Sequence, residues 1–162
     1  MKNRKIMTLT AMVIALCAIG ALIKIPVFAT SAALDAAPAF ISAVFLPPLF
    51  AGIAGSVGHV VTALTSGMPL GPFHIIIAIM MFIVVWGFSY LHTNNRHVLK
   101  WVWAFISNAI ISPLPFYFLI SPAFYIAAVP GLMLATAINL ALAAALMPAL
   151  QKVFARKGVH SS

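Results

Sequence analysis

The chain has 162 residues, of which 64% are hydrophobic, 6% are charged and one is a cysteine. Soluble proteins usually have roughly a quarter of their residues charged, so this chain carries too few charges to cover the surface of a water-soluble domain. The single cysteine also excludes a disulfide framework and a cysteine metal cluster. The composition therefore predicts an integral membrane protein.

Four long apolar stretches predict membrane spans, because about twenty helical residues are needed to cross the hydrocarbon core. They are residues 6–23, 71–91, 99–118 and 130–150. Residues 35–66 hold apolar sequence for two more helices, separated by Pro47 and Pro48, since proline cannot continue an uninterrupted helix. The sequence thus predicts an all-α bundle of six transmembrane helices, with a short second helix, no strand and one domain over residues 1–162.

The elements of the first half follow from their helix breakers. The first helix is expected to end before Pro26. An outer loop rich in Ala, Ser and Thr follows, and it is long enough to fold over a neighbouring part of the protein. Asp35 and Pro38 are typical of the first turn of a second helix. The third helix, from Pro48 to about Ser66, carries Gly52, Gly55 and Gly58, and this small-residue spacing lets helix backbones approach closely in lipid.

The second half begins with a turn at residues 67–72 that is dense in helix breakers. A fourth helix follows over residues 73–91. The fifth helix meets Pro113 and Pro115, so its outer end is expected to be kinked or unwound. Residues 121–129 are predicted to form an outer loop, and Pro130 to start a last helix that runs to about Phe154.

The basic residues predict the orientation of the chain in the membrane. Nine basic residues face one acid, a balance that would suggest nucleic acid or acidic partners in a soluble protein. With six spans, however, three basic clusters fall on one side, which is the positive-inside pattern and places both termini in the cytoplasm. These clusters are Lys2, Arg4 and Lys5; Arg96 and Lys100; and Lys152, Arg156 and Lys157. We therefore expect membrane lipid and no nucleic acid as a partner.

A cleaved secretory signal is an alternative for the N-terminus. A basic start, an apolar run and the residues Val27, Phe28 and Ala29 resemble such a signal and its cleavage site. Cleavage would leave five spans, and the three basic clusters would no longer form the positive-inside pattern, so we favour a retained first helix.

Polar side chains within a membrane domain are costly unless they face partners or a cavity, so each is a functional lead. In the six-helix arrangement most of them lie in the outer half, His59, Asn108 and Asn139 lie at mid-depth, and almost none lie in the inner half. The outer group comprises Lys24, Asp35, Thr62, Thr65, Ser66, His74, Tyr117 and Tyr125. This distribution predicts a binding cup open to the outside and argues against a continuous pore.

Each candidate also has a structural alternative. Asp35, the only carboxylate, suits vicinal hydroxyls or an N–H group of a solute, but it also suits a helix first turn, paired with Lys24. His59 and Thr62 share a helix face, and His74 starts the fourth helix at the interface. Asn108 and Asn139 offer amides to a heterocycle, or join helices. The outer aromatics suit stacking on a flat ring or core packing; they are Phe28, Phe40, Phe73, Phe116, Tyr117, Phe124 and Tyr125.

Enzyme chemistry is not indicated. The sequence has no Glu, no carboxylate pair, no His-Glu zinc motif and no phosphate-binding loop, so we expect no catalytic residues, no cofactor and no means of powering transport. A small membrane enzyme or a pore stays open only as a less favoured reading. Ala11, Ala15 and Ala18 share one face of the first helix, which predicts close packing in the bundle or a smooth surface for another membrane protein.

The sequence resembles a known family, the substrate-capturing S components of energy-coupling factor vitamin transporters. The resemblance is closest to the S components assigned to α-ribazole, the nucleoside of dimethylbenzimidazole and a precursor of the lower ligand of cobalamin. It rests on the Ala11-x-x-x-Ala15 pattern, on the segments 33–40 and 55–63, and on residues 66–70. Pro47 stands where the family pattern has a glycine. Another water-soluble vitamin, such as pantothenate or biotin, would keep the architecture and change only the cup.

The resemblance implies a role and partners. It implies a multi-pass protein of the bacterial cell membrane that captures its substrate outside, docks through Ala11, Ala15 and Ala18 on a transmembrane scaffold subunit with two ATPases, and topples to release the substrate inside. It implies Asp35 for ribose hydroxyls, and His59, Thr62, His74, Asn108, Tyr117, Tyr125 and Asn139 around the solute. Related cobalt and nickel S components have a histidine directly after the initiator Met, and Lys2 stands there, so we expect no metal site.

Overall fold

The computed structural model describes residues 2–27 and 30–156, with the backbone alone for residues 2, 24–27, 30–32, 155 and 156. The described residues form seven α-helices and one β-hairpin. The helices are α1 (Lys2–Leu22), α2 (Ala37–Ile41), α3 (Pro48–Thr65), α4 (His74–Thr93), α5 (Leu99–Ile106), α6 (Pro115–Leu119) and α7 (Pro122–Arg156), and the strands are β1 (Lys24–Val27) and β2 (Thr30–Ala33). Single 3-10 turns lie at Ser42–Val44 and Gly71–Phe73, and a π turn lies at Ser107–Ile111.

Five helical stretches among the described residues are long and apolar enough to cross a membrane, which confirms a multi-pass membrane protein. They are Asn3–Leu22, Pro48–Thr65, Gly71–Thr93, Leu99–Leu119 and Pro122–Phe154. The predicted second helix is short, as the sequence indicated: α2 continues only as a 3-10 turn before the break at Pro47 and Pro48. Its length falls below that of a full span.

The hairpin corrects the prediction that the chain has no strand. β1 pairs antiparallel with β2, with Lys24 opposite Ala33 and Val27 opposite Thr30. Strand pairing satisfies backbone groups that would otherwise need water near the membrane, which local sequence patterns did not reveal. Directly after β2, the Leu34 N–H donates to the Gly20 carbonyl oxygen at 3.1 Å, so the hairpin is attached to the end of α1.

The start of the last helix was also predicted wrongly. α7 begins at Pro122, so residues 122–129 are helical and only Ser121 remains of the predicted loop. The Ser121 hydroxyl oxygen accepts the Phe124 N–H at 3.1 Å, and Pro122 follows it at the first helical position, so the two residues form a helix start. Pro130 consequently lies inside the helix, a position that membrane helices tolerate because neighbouring groups satisfy the freed carbonyl.

The fifth membrane segment is irregular at its outer end, as Pro113 and Pro115 indicated. After α5 the helix widens into the π turn, where the Ser112 N–H donates to the Ser107 carbonyl oxygen at 2.7 Å. α6 then begins at Pro115. The widened turn lies directly before the prolines and contains Asn108, and such turns are frequent at functional sites.

Close helix packing around α3 explains its glycines. A Cβ atom added at Gly55 would lie 2.7 Å from Cγ2 of Val85 on α4, and one at Gly58 would lie 2.9 Å from Cβ of Cys17 on α1. The helices therefore approach at these positions more closely than any side chain allows, which confirms the interpretation of the small-residue spacing.

Contacts between distant elements define two ends of the bundle. Phe45, after α2, stacks on Phe154 of α7 at 4.9 Å between ring centroids, and both line a groove with Leu9 of α1. Gln151 Nε2 lies 3.4 Å from His92 Nε2, which brings the ends of α7 and α4 together. We call this the basic end, because the described residues near it include Arg4, Lys5, Arg96, Lys100 and Lys152.

Two polar side chains, Lys100 and Thr10, are buried near the basic end. Lys100 is only 6% exposed, and its Nζ lies 2.9 Å from Nδ1 of His92 and 4.9 Å from the centre of the Trp101 ring. The Thr10 hydroxyl donates to the Ile6 carbonyl oxygen at 2.8 Å. These groups have partners nearby in the chain or in the adjacent helix, so their burial is compensated.

Candidate functional site

A cavity of about 290 Å³ lies toward the end opposite the basic end. Its walls come from the loop after β2, from α3 and α4, from the π turn and the start of α6, and from α7. Four residues predicted to bind solute line it, namely Asp35, His59, Asn108 and Asn139, together with the predicted stacking residues Phe116 and Phe124. The structure thus brings together residues that are far apart in the sequence.

Asp35 lies in the loop between β2 and α2 and is half-buried. Burial raises the pKa of its carboxyl group, and the backbone N–H groups of Asp35 and Ala36 partly offset this effect by bonding the ionised form. The predicted pairing with Lys24 concerns a side chain outside the described part of the structure. No Lys or Arg is found among the described residues that line the cavity, so Asp35 is the charged group of its lining.

Asn139 of α7 holds the loop that carries Asp35. Its Oδ1 accepts the Ala37 N–H at 2.8 Å, and its Nδ2 donates to the carbonyl oxygens of Ala33 at 2.7 Å and Ala135 at 2.9 Å. Both amide N–H groups are used, and the residue is only 2% exposed. Asn139 therefore lines the cavity while its amide atoms are engaged by the backbone on both sides of Asp35 and by α7 itself.

Asn108 connects the π turn to the last helix. Its Nδ2 donates to the Thr136 hydroxyl oxygen at 2.8 Å, and both side chains line the cavity. Since Thr136 and Asn139 lie on one face of α7, this bond and the Asn139 bonds fix two sides of the cavity to the same helix.

His59 is supported by His74. The His59 Nε2 lies 3.1 Å from the His74 Nδ1, and the Leu70 N–H lies 3.4 Å from the His74 Nε2. If His74 Nε2 accepts from Leu70, the neutral His74 carries its proton on Nδ1 and donates it to His59, which leaves the His59 Nδ1 as a donor. His74 is buried and is not among the described residues of the cavity wall, so it acts through His59.

Three other predicted site residues lie outside the described cavity lining. The buried Thr62 hydroxyl has no hydrogen-bond partner among the described residues. The Tyr125 hydroxyl donates to the Ile110 carbonyl oxygen at 3.2 Å, and Tyr117 packs edge-on against Tyr125 with ring centroids 5.9 Å apart. The two tyrosines therefore brace the π turn behind the cavity.

The remaining predicted aromatics divide between the core and the cavity wall. Phe40 is fully buried and packs edge-on against Phe88 at 5.1 Å, so it belongs to the core. Phe73 packs edge-on against Phe116 at 5.8 Å and supports that ring from behind. Phe28 lies outside the described residues.

The sequence reasoning missed Ser112 and Thr136 as lining residues. The helical spacing could have indicated both residues. Ser112 follows Asn108 by four positions and Thr136 precedes Asn139 by three. Each therefore shares a helix face with a predicted site residue. Hydroxyl residues in membrane helices commonly bond their own backbone, so their presence alone does not predict a cavity-lining role.

The predicted partner face lies on α1. Ala11 and Ala15 are exposed and Ala18 is half-buried. Around them, Met7, Met12, Leu16 and Ile19 are each more than half exposed. This face of α1 is therefore apolar and is left uncovered by the rest of the described chain.

Comparison with known proteins places the chain in a family. Searches of curated proteins and of solved structures found no match. Over residues 5–155, the sequence matches the family described as ECF transporter, substrate-specific component. This match covers nearly all of the chain and agrees with the multi-pass helical structure, and such proteins are transporter components and not enzymes. The chain belongs to the family of substrate-specific components of ECF transporters.

Proposed function

We propose that this protein captures α-ribazole, or a closely similar small heterocyclic nucleoside, for an energy-coupling factor importer. The observation that carries the proposal is the composition of one cavity: a carboxylate, an imidazole and two amides lie among aromatic and aliphatic side chains. At about 290 Å³ the cavity is at the lower end of the range of ligand pockets, which suits a small solute.

The lining suggests a role for each group. The Asp35 carboxylate accepts hydrogen bonds from the ribose hydroxyls, and such bonds to a charged acceptor are the strong kind. His59 and Asn108 offer polar atoms to the base. Phe116 and Phe124, which pack edge-on at 6.2 Å, present an apolar surface for the flat ring.

The proposed topology has six crossings with both termini in the cytoplasm. α1 and α3 both run from the basic end to the cavity end, so the short segment over residues 35–45 returns the chain between them, and the six segments then alternate in direction. The basic end then faces the cytoplasm, as the positive-inside rule requires, and the cavity faces outward. In this orientation, the exposed face of Ala11 and Ala15 serves a scaffold subunit with two ATPases, and toppling provides the release route.

Titration of the purified protein with α-ribazole, followed by calorimetry, tests the proposal. We expect saturable binding, and for Asp35→Ala at least about tenfold weaker binding, since hydrogen bonds to charged groups contribute about 1.5–3 kcal/mol. Thr65→Ala, an exposed position outside the described cavity lining, is the matched control and should bind normally. Binding of pantothenate or biotin without binding of α-ribazole would contradict the proposed substrate.

A further inference from the structure

The charge of the cavity lining restricts the solute as strongly as its volume does. Asp35 is the only carboxylate in the chain, and the described lining residues contain no Lys or Arg. The buried cation Lys100 is engaged with His92 at the basic end. Among the described residues, a solute in the cavity therefore meets one acidic group and otherwise uncharged or aromatic groups.

An anionic group would be unfavourable in this setting for two reasons. It would lose its hydration without gaining a cationic partner from the described lining, and buried charges are stable only when paired. It would also lie near the Asp35 carboxylate, and the repulsion of like charges grows as the surroundings become less polar.

The Asp35 carboxylate cannot easily move away from the solute. Asn139 bonds Ala33 before it and Ala37 after it, at 2.7 and 2.8 Å, and Leu34 is bonded to Gly20 of α1. Asp35 is half-buried beside aliphatic, aromatic and amide side chains, so the site itself solvates an ionised group poorly. The same poor solvation applies to a second anion.

We infer that Asp35 sets the charge selectivity of this protein: the cavity admits uncharged solutes and excludes those that carry a carboxylate or a phosphate. This inference rests on the proposed function and deepens it, because it separates a nucleoside from its phosphorylated form. It also separates α-ribazole from pantothenate and biotin, which both carry a carboxylate.

Asp35→Asn is the most informative variant, because it removes the charge while keeping the shape and one acceptor oxygen. Competition against labelled α-ribazole would compare unlabelled α-ribazole with its 5′-phosphate, on the wild-type protein and on the variant. In the wild type we expect the phosphate to compete about a hundredfold more weakly than the nucleoside, given unscreened repulsion near Asp35. In Asp35→Asn, the difference in competition strength between the nucleoside and its phosphate should be at least about tenfold smaller than in the wild type. Thr65→Ala should keep the wild-type ratio, and thermal unfolding should verify that each variant is folded.

A second panel separates this inference from the proposed substrate. Thermal stabilisation would compare pantothenate with its alcohol analogue, and biotin with its alcohol analogue, which differ in the charged group. Suppose that α-ribazole does not bind, but the alcohol analogue of pantothenate or of biotin stabilises the protein more than the corresponding carboxylate does. The proposed substrate is then wrong, and the inferred charge selectivity is supported. If the wild type binds α-ribazole and its phosphate within about threefold of each other, or if Asp35→Asn leaves their ratio unchanged, Asp35 does not set the selectivity.

Discussion

Asn139 shows how a single buried amide determines the geometry of the cavity. Two of its three hydrogen bonds, at 2.7 and 2.8 Å, join α7 to the backbone on both sides of Asp35, and the third, at 2.9 Å, is to Ala135 of α7 itself. In a membrane domain, such bonds take the place of water by satisfying backbone N–H and carbonyl groups that are not hydrogen-bonded within a helix. We therefore expect the side chain to affect binding through the position of Asp35, although its own polar atoms are occupied by the protein.

Replacement of Asn139 by Leu should weaken α-ribazole binding by freeing the Asp35 loop. The change leaves the Ala37 N–H and the Ala33 carbonyl without their partner, at a cost of about 1–3 kcal/mol for each group. Asn139→Asp keeps an acceptor for Ala37, but it loses both donated bonds and buries a second carboxylate against two carbonyl oxygens near Asp35, so it should weaken binding at least as much as Leu. Calorimetric titration measures these affinities.

A double-mutant cycle with Asp35→Ala tests whether Asn139 acts through Asp35. If it does, the double variant should bind hardly more weakly than Asp35→Ala alone, because the effects of coupled residues do not add. Fully additive losses would show that Asn139 contributes to binding by a separate route.

At the scale of elements, Gly20 positions the same loop from the side of α1. A Cβ atom at Gly20 would collide with the Leu34 carbonyl oxygen, which is a backbone atom that cannot rotate away. The glycine therefore allows the end of α1 to contact the chain directly before Asp35, a close approach that no other residue permits.

Gly20→Ala should displace the Asp35 loop and lower affinity for α-ribazole, while Gly52→Ala should lower stability and leave affinity nearly unchanged. The two variants make the same chemical change, but Gly52 faces Phe82 at the contact of α3 and α4, and neither residue is among the described cavity-lining residues. Overpacking of this kind costs about 1–3 kcal/mol. Thermal unfolding and calorimetry of both variants check the contrast. Equal loss of affinity in both would argue against a local effect at Gly20.

At the scale of the whole molecule, the exposed face of α1 lies apart from the cavity. Ala11 and Ala15 lie outside the core and are not among the described cavity-lining residues. A bulky residue there should therefore obstruct a partner helix without changing the solute site.

Ala15→Trp should reduce copurification with the scaffold and ATPase subunits at least about tenfold, because loss of close packing at a central contact commonly costs more than 1.4 kcal/mol. Binding of α-ribazole to the isolated variant should stay normal. Ile79→Trp, at a position of α4 that is 55% exposed, is the matched control and should assemble normally. Unimpaired assembly of Ala15→Trp would remove this face from the partner interface.

The sequence by itself determined the class of protein, because composition and long apolar runs reflect the membrane as a solvent at every position. It also singled out Asp35, His59, Asn108 and Asn139, because polar residues in an apolar chain are conspicuous. Proline and glycine marked most of the helix ends, since their effect on the backbone is local.

Only the tertiary structure decided how those residues act. Asn139 bonds residues more than a hundred positions away in the sequence, and His74 proves to be a support for His59 because the turn after α3 folds back on it. The hairpin and the early start of α7 were likewise missed, because backbone pairing and capping by Ser121 depend on where each carbonyl and N–H finds a partner. Apolar periodicity locates helices in a membrane, but hydrogen bonds between distant segments give the cavity its shape.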